Sequence, residues 1–320
     1  MKKKANKKKQ TKKLAVKKIA KKKTEVKKKI KKVPVRKKVA KPEKKAKASV
    51  SARKRRFDFT KMVASGNDFI VFDNRRSNLK NGSEIAVNFC ARTSGVGADG
   101  LIFIEKSKKA DFKMRIFNPD GSEAEMCGNG IRCAALFKAK KNSTIETLAG
   151  FLNAEIKSDG IKIRMTNPKD MQLNVNLDID GRVYQVNCVN TGVPHAVYFV
   201  DDLPTTNVRM MGRLIRYHRQ FAPDGTNVDF EKVIEPGVIG IRTFERGVEA
   251  ETLGCGTGSV ASALIYHHKF IGLAGKNYKV KVKTQGEEIL KVYFDYKNGA
   301  FQNVWLKGRA QIVYKGECYV

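Results

Sequence analysis

The sequence predicts an α+β protein of two pseudo-symmetric lobes behind a lysine-rich extension. Three observations lead there: short β-rich runs fill residues 57–320, helical periodicity is confined to three places, and a neighbourhood of the first half recurs 128 residues later. The runs FDFTKMV, DFIVFD, GLIFIE, FKMRIF, IKIRMT, HAVYFV, IGIRTF, YKVKVKT, EILKVYF and VWLKG are rich in β-branched and aromatic residues. Most are bounded by Gly, Asn, Asp or Pro, as strands are. Helices are expected over 131–140 and 259–269, where Ile131, Ala134 and Ala135, then Val260, Ala263 and Leu264, fall at i, i+3 and i+4. A third, basic and on the surface, is expected near 207–220. So few helices among so many strands argue against alternating βαβ units.

The extension comes first along the chain. Residues 1–56 carry 29 of the 65 Lys and Arg and only two acids, Glu25 and Glu43, so a net +27 sits there and +7 on residues 57–320. With no aromatic before Phe57 and little apolar surface, the segment cannot offset the entropy of ordering and is expected to lack fixed structure alone. It is weakly similar to linker-histone tails and reads as a non-specific, salt-dependent contact to nucleic acid or another polyanion. A solvated extension competes with that reading, as does an uncleaved targeting segment, although transit peptides are richer in Arg and Ser. Contact with an anionic membrane through Val26, Ile30 and Val33 is a further alternative with a poor apolar face.

No run approaches the roughly 18 apolar residues of a membrane span, and no apolar signal segment follows the basic start, so neither spanning nor export is expected. Six cysteines, at 90, 127, 133, 188, 255 and 318, show neither disulfide-scaffold density nor the C-x-x-C spacing of zinc sites. Free thiols in a reducing, cytoplasmic compartment are the expectation.

The repeat organises the rest. A shift of 128 lays Glu123 on Glu251, Cys127 on Cys255, Gly128 on Gly256, Gly130 on Gly258, Ala135 on Ala263 and Leu136 on Leu264, with Asn67 upstream on His195. Such a duplication implies lobes of approximately 57–175 and 176–320 related by a pseudo-twofold axis, with the site in the cleft between them.

Each lobe then presents one cysteine where a glycine-rich turn opens a helix. Unpaired backbone N–H groups and the positive helix end stabilise a thiolate there, lowering a thiol pKa of roughly 8.5 by one to several units. The glycines let N–H groups approach an anion, so each turn can also cradle a carboxylate. Two thiols on opposite faces of one bound carboxylate suit racemisation or epimerisation: one removes a proton, the other returns one to the far face. Amides aimed at the carboxylate would stabilise the carbanion-like transition state. Cys90, Cys133, Cys188 and Cys318 read as small buried hydrophobes. A Cys127–Cys255 disulfide is the competing reading of the pair and needs an oxidising compartment.

The motifs FTKMVASGNDF (59–69), GVGADGL (95–101), FNPDGSEAEMCGNGIRCAA (117–135), NTGVPHAV (190–197), DGTNVDF (224–230) and TFERGVEAETLGCGTGSVASA (243–263) resemble those of the diaminopimelate epimerase family over essentially all of 57–320. The resemblance implies two β-rich units, each wrapped around a central helix, that convert LL- to meso-diaminopimelate for lysine and peptidoglycan precursors without pyridoxal phosphate, metal or other cofactor. It implies Cys127 as base toward the L centre and Cys255 as the acid on the other face. Asn67, Gly128, Asn129, Gly256 and Thr257 would hold the reacting end, and Asn118, Asn227 and Arg246 the distal amino-acid group. His195 and Glu245 would tune the thiols, Glu245 also facing substrate. Without the resemblance, Asn118 and Asn227 read as turn formers, Glu245 and Arg246 as surface charge, and His195 as a loop residue.

Two positions depart from the family pattern. Gly100 and Val193 stand where many members have Gln and Asn, and the loss of polar contacts relaxes discrimination. A relaxed-specificity amino-acid racemase is therefore one rival. A proline or hydroxyproline racemase is another, although that family generally has His at the position of Asn129 and lacks the ERG-x-E run of 245–249. A polyanion-binding protein with an epimerase-like head is the third. The oligomeric state stays open, a homodimer included.

Overall fold

The strands expected from the ten runs are all present. The computed structural model describes Arg56–Tyr319; residues 1–55 of the lysine-rich extension, expected to lack fixed structure, lie outside the described residues, and its last residue, Arg56, opens the first strand. The first half supplies β1 (Arg56–Ala64), β2 (Asn67–Asp73), β3 (Gly100–Glu105), β4 (Phe112–Phe117), β5 (Glu123–Ala124), β6 (Asn142–Thr147), β7 (Gly150–Lys157), β8 (Gly160–Arg164) and β9 (Lys169–Ile179). The second supplies β10 (Arg182–Asn190), β11 (Pro194–Phe199), β12 (Asn227–Glu235), β13 (Val238–Glu245), β14 (Ala250–Thr252), β15 (Gly275–Lys283), β16 (Ile289–Lys297), β17 (Ala300–Gly308) and β18 (Gln311–Tyr319).

The pairing repeats with the sequence. β1 runs antiparallel to β2, β2 parallel to β3, β3 antiparallel to β4, and β4 parallel to β6, which continues antiparallel through β7 to β8. The same order holds from β10 through β11, β12, β13, β15 and β16 to β17. The halves are stitched together by antiparallel β8 and β17, with Ile163 opposite Leu306. Their last strands are exchanged: β9 pairs with β10, and β18 returns to pair with β1. The 175/176 boundary thus lies inside β9.

Among the described residues four helices of nine or more residues complete the topology, α1 (Gly82–Cys90), α2 (Gly128–Lys138), α3 (Val208–Arg216) and α4 (Gly256–Tyr266), beside the short helical turns Asn74–Ser77, Arg219–Phe221 and His267–Ile271. Strands β1, β2, β3, β4, β7, β8 and β18 surround α2, while β10 to β13 and β15 to β17 surround α4. Small side chains permit this: Ala134 and Ala135 of α2, and Ala261, Ser262 and Ala263 of α4, are buried. The two helices share one core that draws Ile131 and Val260, Ile163 and Leu306 together from both halves. Helix α3 is the expected basic helix, shorter than 207–220. Helix α1 is a correction to the three expected helices. Its buried Ile85, Ala86 and Cys90 occupy only nine residues opened by Asn81-Gly82, too brief for the period to stand out. Among the described residues no helix is long and apolar enough to cross a membrane.

Candidate active site

Both cysteines are helix N-caps. Cys127 (φ −143°, ψ 120°) and Cys255 (φ −106°, ψ 117°) have extended backbones, and each Sγ accepts the N–H three residues on, from Gly130 at 3.5 Å and from Gly258 at 3.4 Å. The side chain thus occupies the place of a Ser or Asp cap, and the glycines allow the turn to close tightly. The two turns meet at the seam between the halves. A Cβ on Gly128 would lie 3.5 Å from Ile163 Cδ1, and one on Gly256 would lie 3.0 Å from Leu306 Cδ2. Ile163 and Leu306 are the opposed residues of β8 and β17, so both helix N-termini rest on one rung of the pseudo-twofold axis.

Charge differs between the two caps. Burial pushes the Cys127 thiol up, the N–H groups of Gly130 and Asn129 act to lower it, and the smaller effects of Glu245 (raising) and Arg132 (lowering) oppose each other. Cys255 is held well above the ordinary thiol range, first by burial and then by the Glu245 and Asp229 carboxylates, with Thr257 and Gly258 opposing. The expectation of depressed thiol pKa values is therefore corrected: helix-end donors act in the expected direction, and desolvation outweighs them. Glu245, at the end of β13, acts on both cysteines and accepts a hydrogen bond from Thr252 Oγ1 at 2.6 Å. Burial raises its own pKa.

His195 is fully buried with its Nδ1 2.7 Å from Asp229 Oδ2, and Thr243 Oγ1 donates to Asp229 Oδ1, also at 2.7 Å. Against a carboxylate oxygen Nδ1 is the donor, which leaves Nε2 as the ring's other nitrogen. Among the described residues Nε2 has no hydrogen-bond partner. On the first-half side, Asn129 Nδ2 donates to Asn67 Oδ1 at 2.7 Å. The loop before β11 is tied to the Cys255 turn by Thr191 Oγ1, which donates to the Thr257 carbonyl at 3.1 Å.

A third cluster lies along the strand ends. Asn227 sits opposite His195 in the parallel β11–β12 pair, donates from Nδ2 to the Pro194 carbonyl at 3.0 Å, and accepts the Arg246 N–H at 2.9 Å. The Arg246 guanidinium has no hydrogen-bond or ion-pair partner among the described residues. Asn118 stands apart: it is exposed, and its Nδ2 donates to Ser122 Oγ at 2.9 Å within its own turn. Two buried arginines escaped the sequence reading. Arg132, one turn along α2, contacts Asn129. Arg216 holds the Asp224 carbonyl at 2.9 Å and Glu249 at 3.0 Å, joining the loops that carry Asn227 and Arg246. Neither has a local signal, because beside the nearby Asn129 and Asp224 each is fixed by partners remote in sequence.

The fold is one shared with solved structures of several families. A phenazine biosynthesis protein of the PhzF family from Bacillus anthracis superposes with a TM-score of 0.67 at 19% identity, covering 83% of this chain and 100% of that one. A hydroxyproline epimerase from Agrobacterium vitis superposes with a TM-score of 0.64 at 16% identity, covering 84% and 94%. Sequence narrows the choice. The family model for diaminopimelate epimerase matches residues 59–171 and 187–312. The diaminopimelate epimerase of Aquifex aeolicus is 40% identical over 276 residues, 81% of this chain and 96% of its own length. That of Archaeoglobus fulgidus is 43% identical over 252 residues, 72% and 87%. The chain belongs to the diaminopimelate epimerase family, and is an isomerase.

Proposed function

We propose that this chain inverts one Cα of LL-diaminopimelate to give the meso form, with Cys127 and Cys255 as the exchanging base and acid. The observation that carries the reading is the seating of both cysteine caps on one rung of the β8–β17 seam, with Glu245 acting on both. In the forward direction the Cys127 thiolate takes the Cα proton, and the electron pair of the broken C–H bond delocalises into the carboxylate. The Cys255 S–H then gives its proton to the opposite face, leaving Cys127 as thiol and Cys255 as thiolate. The reverse reaction exchanges the roles. A raised pKa makes the Cys127 thiolate a stronger base toward a weak carbon acid and a scarcer species near neutral pH, two effects that oppose each other. The carboxylates beside Cys255 favour its protonated form, which supports its role as acid in this direction.

Backbone N–H groups of Gly128, Asn129, Gly256 and Thr257 would cradle the reacting carboxylate, with Asn67 beside them. Arg246 would pair the distal carboxylate, with Asn227, Asn118 and the Glu245 segment near the distal ammonium. His195 and Glu245 would regulate the thiols. The lobes, 57–175 and 176–320, would close on substrate and shield it from water. A reducing cytoplasm suits the six free thiols. The +27 extension would attach the enzyme to nucleic acid or another polyanion.

Relaxed specificity is the second reading, favoured by Gly100 and Val193, whose side chains offer no hydrogen bond. Incubation of the protein with LL-diaminopimelate in deuterated water tests both. Deuterium at Cα together with the meso product supports the proposal, and equal turnover of monocarboxylic amino acids supports the relaxed reading. Cys127→Ala and Cys255→Ala should each abolish inversion; near-normal inversion by either overturns the two-thiol mechanism.

A further inference from the structure

Among the described residues Arg132 is the largest fully buried side chain, and its guanidinium is held by groups from three parts of the chain. Nη1 donates to the Arg309 carbonyl at 3.2 Å and reaches Glu288 Oε1 at 3.5 Å, while Nη2 donates to Ser65 Oγ at 2.7 Å and to Asn129 Oδ1. Glu288 closes the ring by accepting Ser65 Oγ–H and, at 2.8 Å, the Arg309 N–H. The carbonyl and carboxylate anchors sit at the far ends of β17 and β16, in the second half of the chain.

This arrangement gives the amides beside Cys127 a direction. A guanidinium can only donate, so Asn129 must turn its oxygen to Arg132 and its Nδ2 to Asn67. Asn67 in turn receives that N–H on its oxygen at 2.7 Å and donates its Nδ2 to Asp99 Oδ2 at 3.1 Å, and a carboxylate can only accept. A donor-only cation at one end and an acceptor-only carboxylate at the other leave each amide one orientation. Gly308 makes the room: a Cβ there would lie 2.9 Å from the Arg132 Cζ and nearer still to Nη1.

We infer that Arg132 is a positioning residue: by orienting Asn129, and through it Asn67, it fixes which donors and acceptors meet the substrate at the Cys127 turn and ties that turn to the second half. The inference rests on the proposed reading that Asn129 and Asn67 hold the reacting end. Arg132→Lys keeps a charge and cannot bridge Asn129, Ser65 and the 288–309 segment together. It should lower kcat about 100-fold, the cost of roughly 1 Å of misplacement in a reacting constellation, with KM within about threefold.

The test is a double-mutant cycle of Arg132→Lys with Asn129→Ala, read as kcat and KM for deuterium incorporation at Cα of LL-diaminopimelate. If Arg132 acts through Asn129, Arg132→Lys costs about threefold or less in the Asn129→Ala background. An equal fold-loss in both backgrounds overturns the inference, because a role in stability alone is additive. Full activity of Arg132→Lys beside an impaired Asn129→Ala overturns it while sparing the substrate reading. A fully active Asn129→Ala removes both. Should Arg132→Lys fail to fold, Ser65→Ala, which removes one of the bonds that hold the guanidinium without deleting it, takes its place in the cycle under the same criteria.

Discussion

Gly258 and Gly130 occupy equivalent third positions of the two cysteine helices, yet alanine should harm only one of them. A Cβ on Gly258 would stand 3.0 Å from Asp229 Cγ and closer to Oδ1, where carbon atoms need about 3.5–4.0 Å. The carboxylate must therefore retreat by about 0.5–1 Å. It cannot do so freely, since it is fully buried and bonds His195 and Thr243 at 2.7 Å each. Overpacking of this kind costs about 1–3 kcal/mol, partly offset by up to about 1 kcal/mol of helix propensity. The melting temperature should fall by a few degrees, at roughly 2–4 °C per kcal/mol. Activity should fall further, by about 100-fold, because the displaced dyad carries His195 with it. On Gly130 the nearest atoms are the terminal methyls of Ile116 at 3.1 Å and Ile102 at 3.3 Å, which can rotate aside by a few tenths of an ångström. Gly130→Ala should keep activity within about threefold and stability within about 1 kcal/mol. Both variants retain the N–H that meets the cysteine sulfur, so the comparison isolates the carboxylate. Steady-state kinetics on LL-diaminopimelate and thermal melts of the two proteins decide it. Wild-type kcat in Gly258→Ala, or greater damage in Gly130→Ala, would refute the argument.

Arg246→Lys should raise KM for diaminopimelate about 10- to 100-fold, the loss of roughly 1.5–3 kcal/mol of charge-assisted bonding, and change little for a substrate without a distal carboxylate; equal KM effects on both would place the guanidinium elsewhere. Stability should decline at alkaline pH, because burial lifts Cys90, Cys188 and Cys318 from 9.0 to about 11 and Cys133 to about 12. The sign follows from linkage: above pH 9 the unfolded thiols release protons that the folded ones retain, so stability held below that pH is lost between about 9 and 12. Cys133→Ala and Cys188→Ala should each flatten this decline in melts across pH 8–11, and an unchanged slope would exclude the thiols as its source. Removal of residues 1–55, which spares β1 from Arg56 onward, should leave kcat and KM intact and abolish retention on DNA. The full-length protein should lose log affinity linearly in log salt, at about −0.9 per phosphate neutralised; equal binding by both forms excludes the extension as the polyanion contact.

What was legible in the sequence was whatever a short window encodes. The cysteine caps, their glycines and the β-rich runs each carry a local physical signature, and duplication made the pair of caps visible as a pair. The unreadable parts depend on register between distant strands. β9, KDMQLNVNLDI, alternates as a half-buried strand should. Nothing within it says that its partner is β10, or that β18 must return to β1. Asp229 and Glu231 look in sequence like the outward residues of an alternating strand. They are fully buried, and Asp229 packs under the Cys255 turn at Gly258. Arg132 and Arg216 read as helix surface cations until their partners, up to 177 residues away, are brought to them.

Those same positions carry the difference between the halves. A perfect twofold would give both thiols one environment and one proton affinity, and neither could be poised as base while the other waits as acid. The duplication supplies opposed, equivalent geometry, and unmatched residues unbalance it. Where β12 has Asp229 beneath α4, the register of the repeat puts Leu101 on β3, and no carboxylate underlies α2 there; Glu231, opposite Phe103 in that register, is held toward its protonated form by burial. Where α2 has the buried cation Arg132, the 128-residue shift puts Val260 on α4. Negative charge raises Cys255 through both Glu245 and Asp229, whereas at Cys127 Arg132 opposes Glu245, so the imbalance of charge favours the proton on Cys255. Exchange of these charges, with Asp229→Asn relieving Cys255, should therefore alter the balance between the forward and reverse proton transfers before it alters the fold.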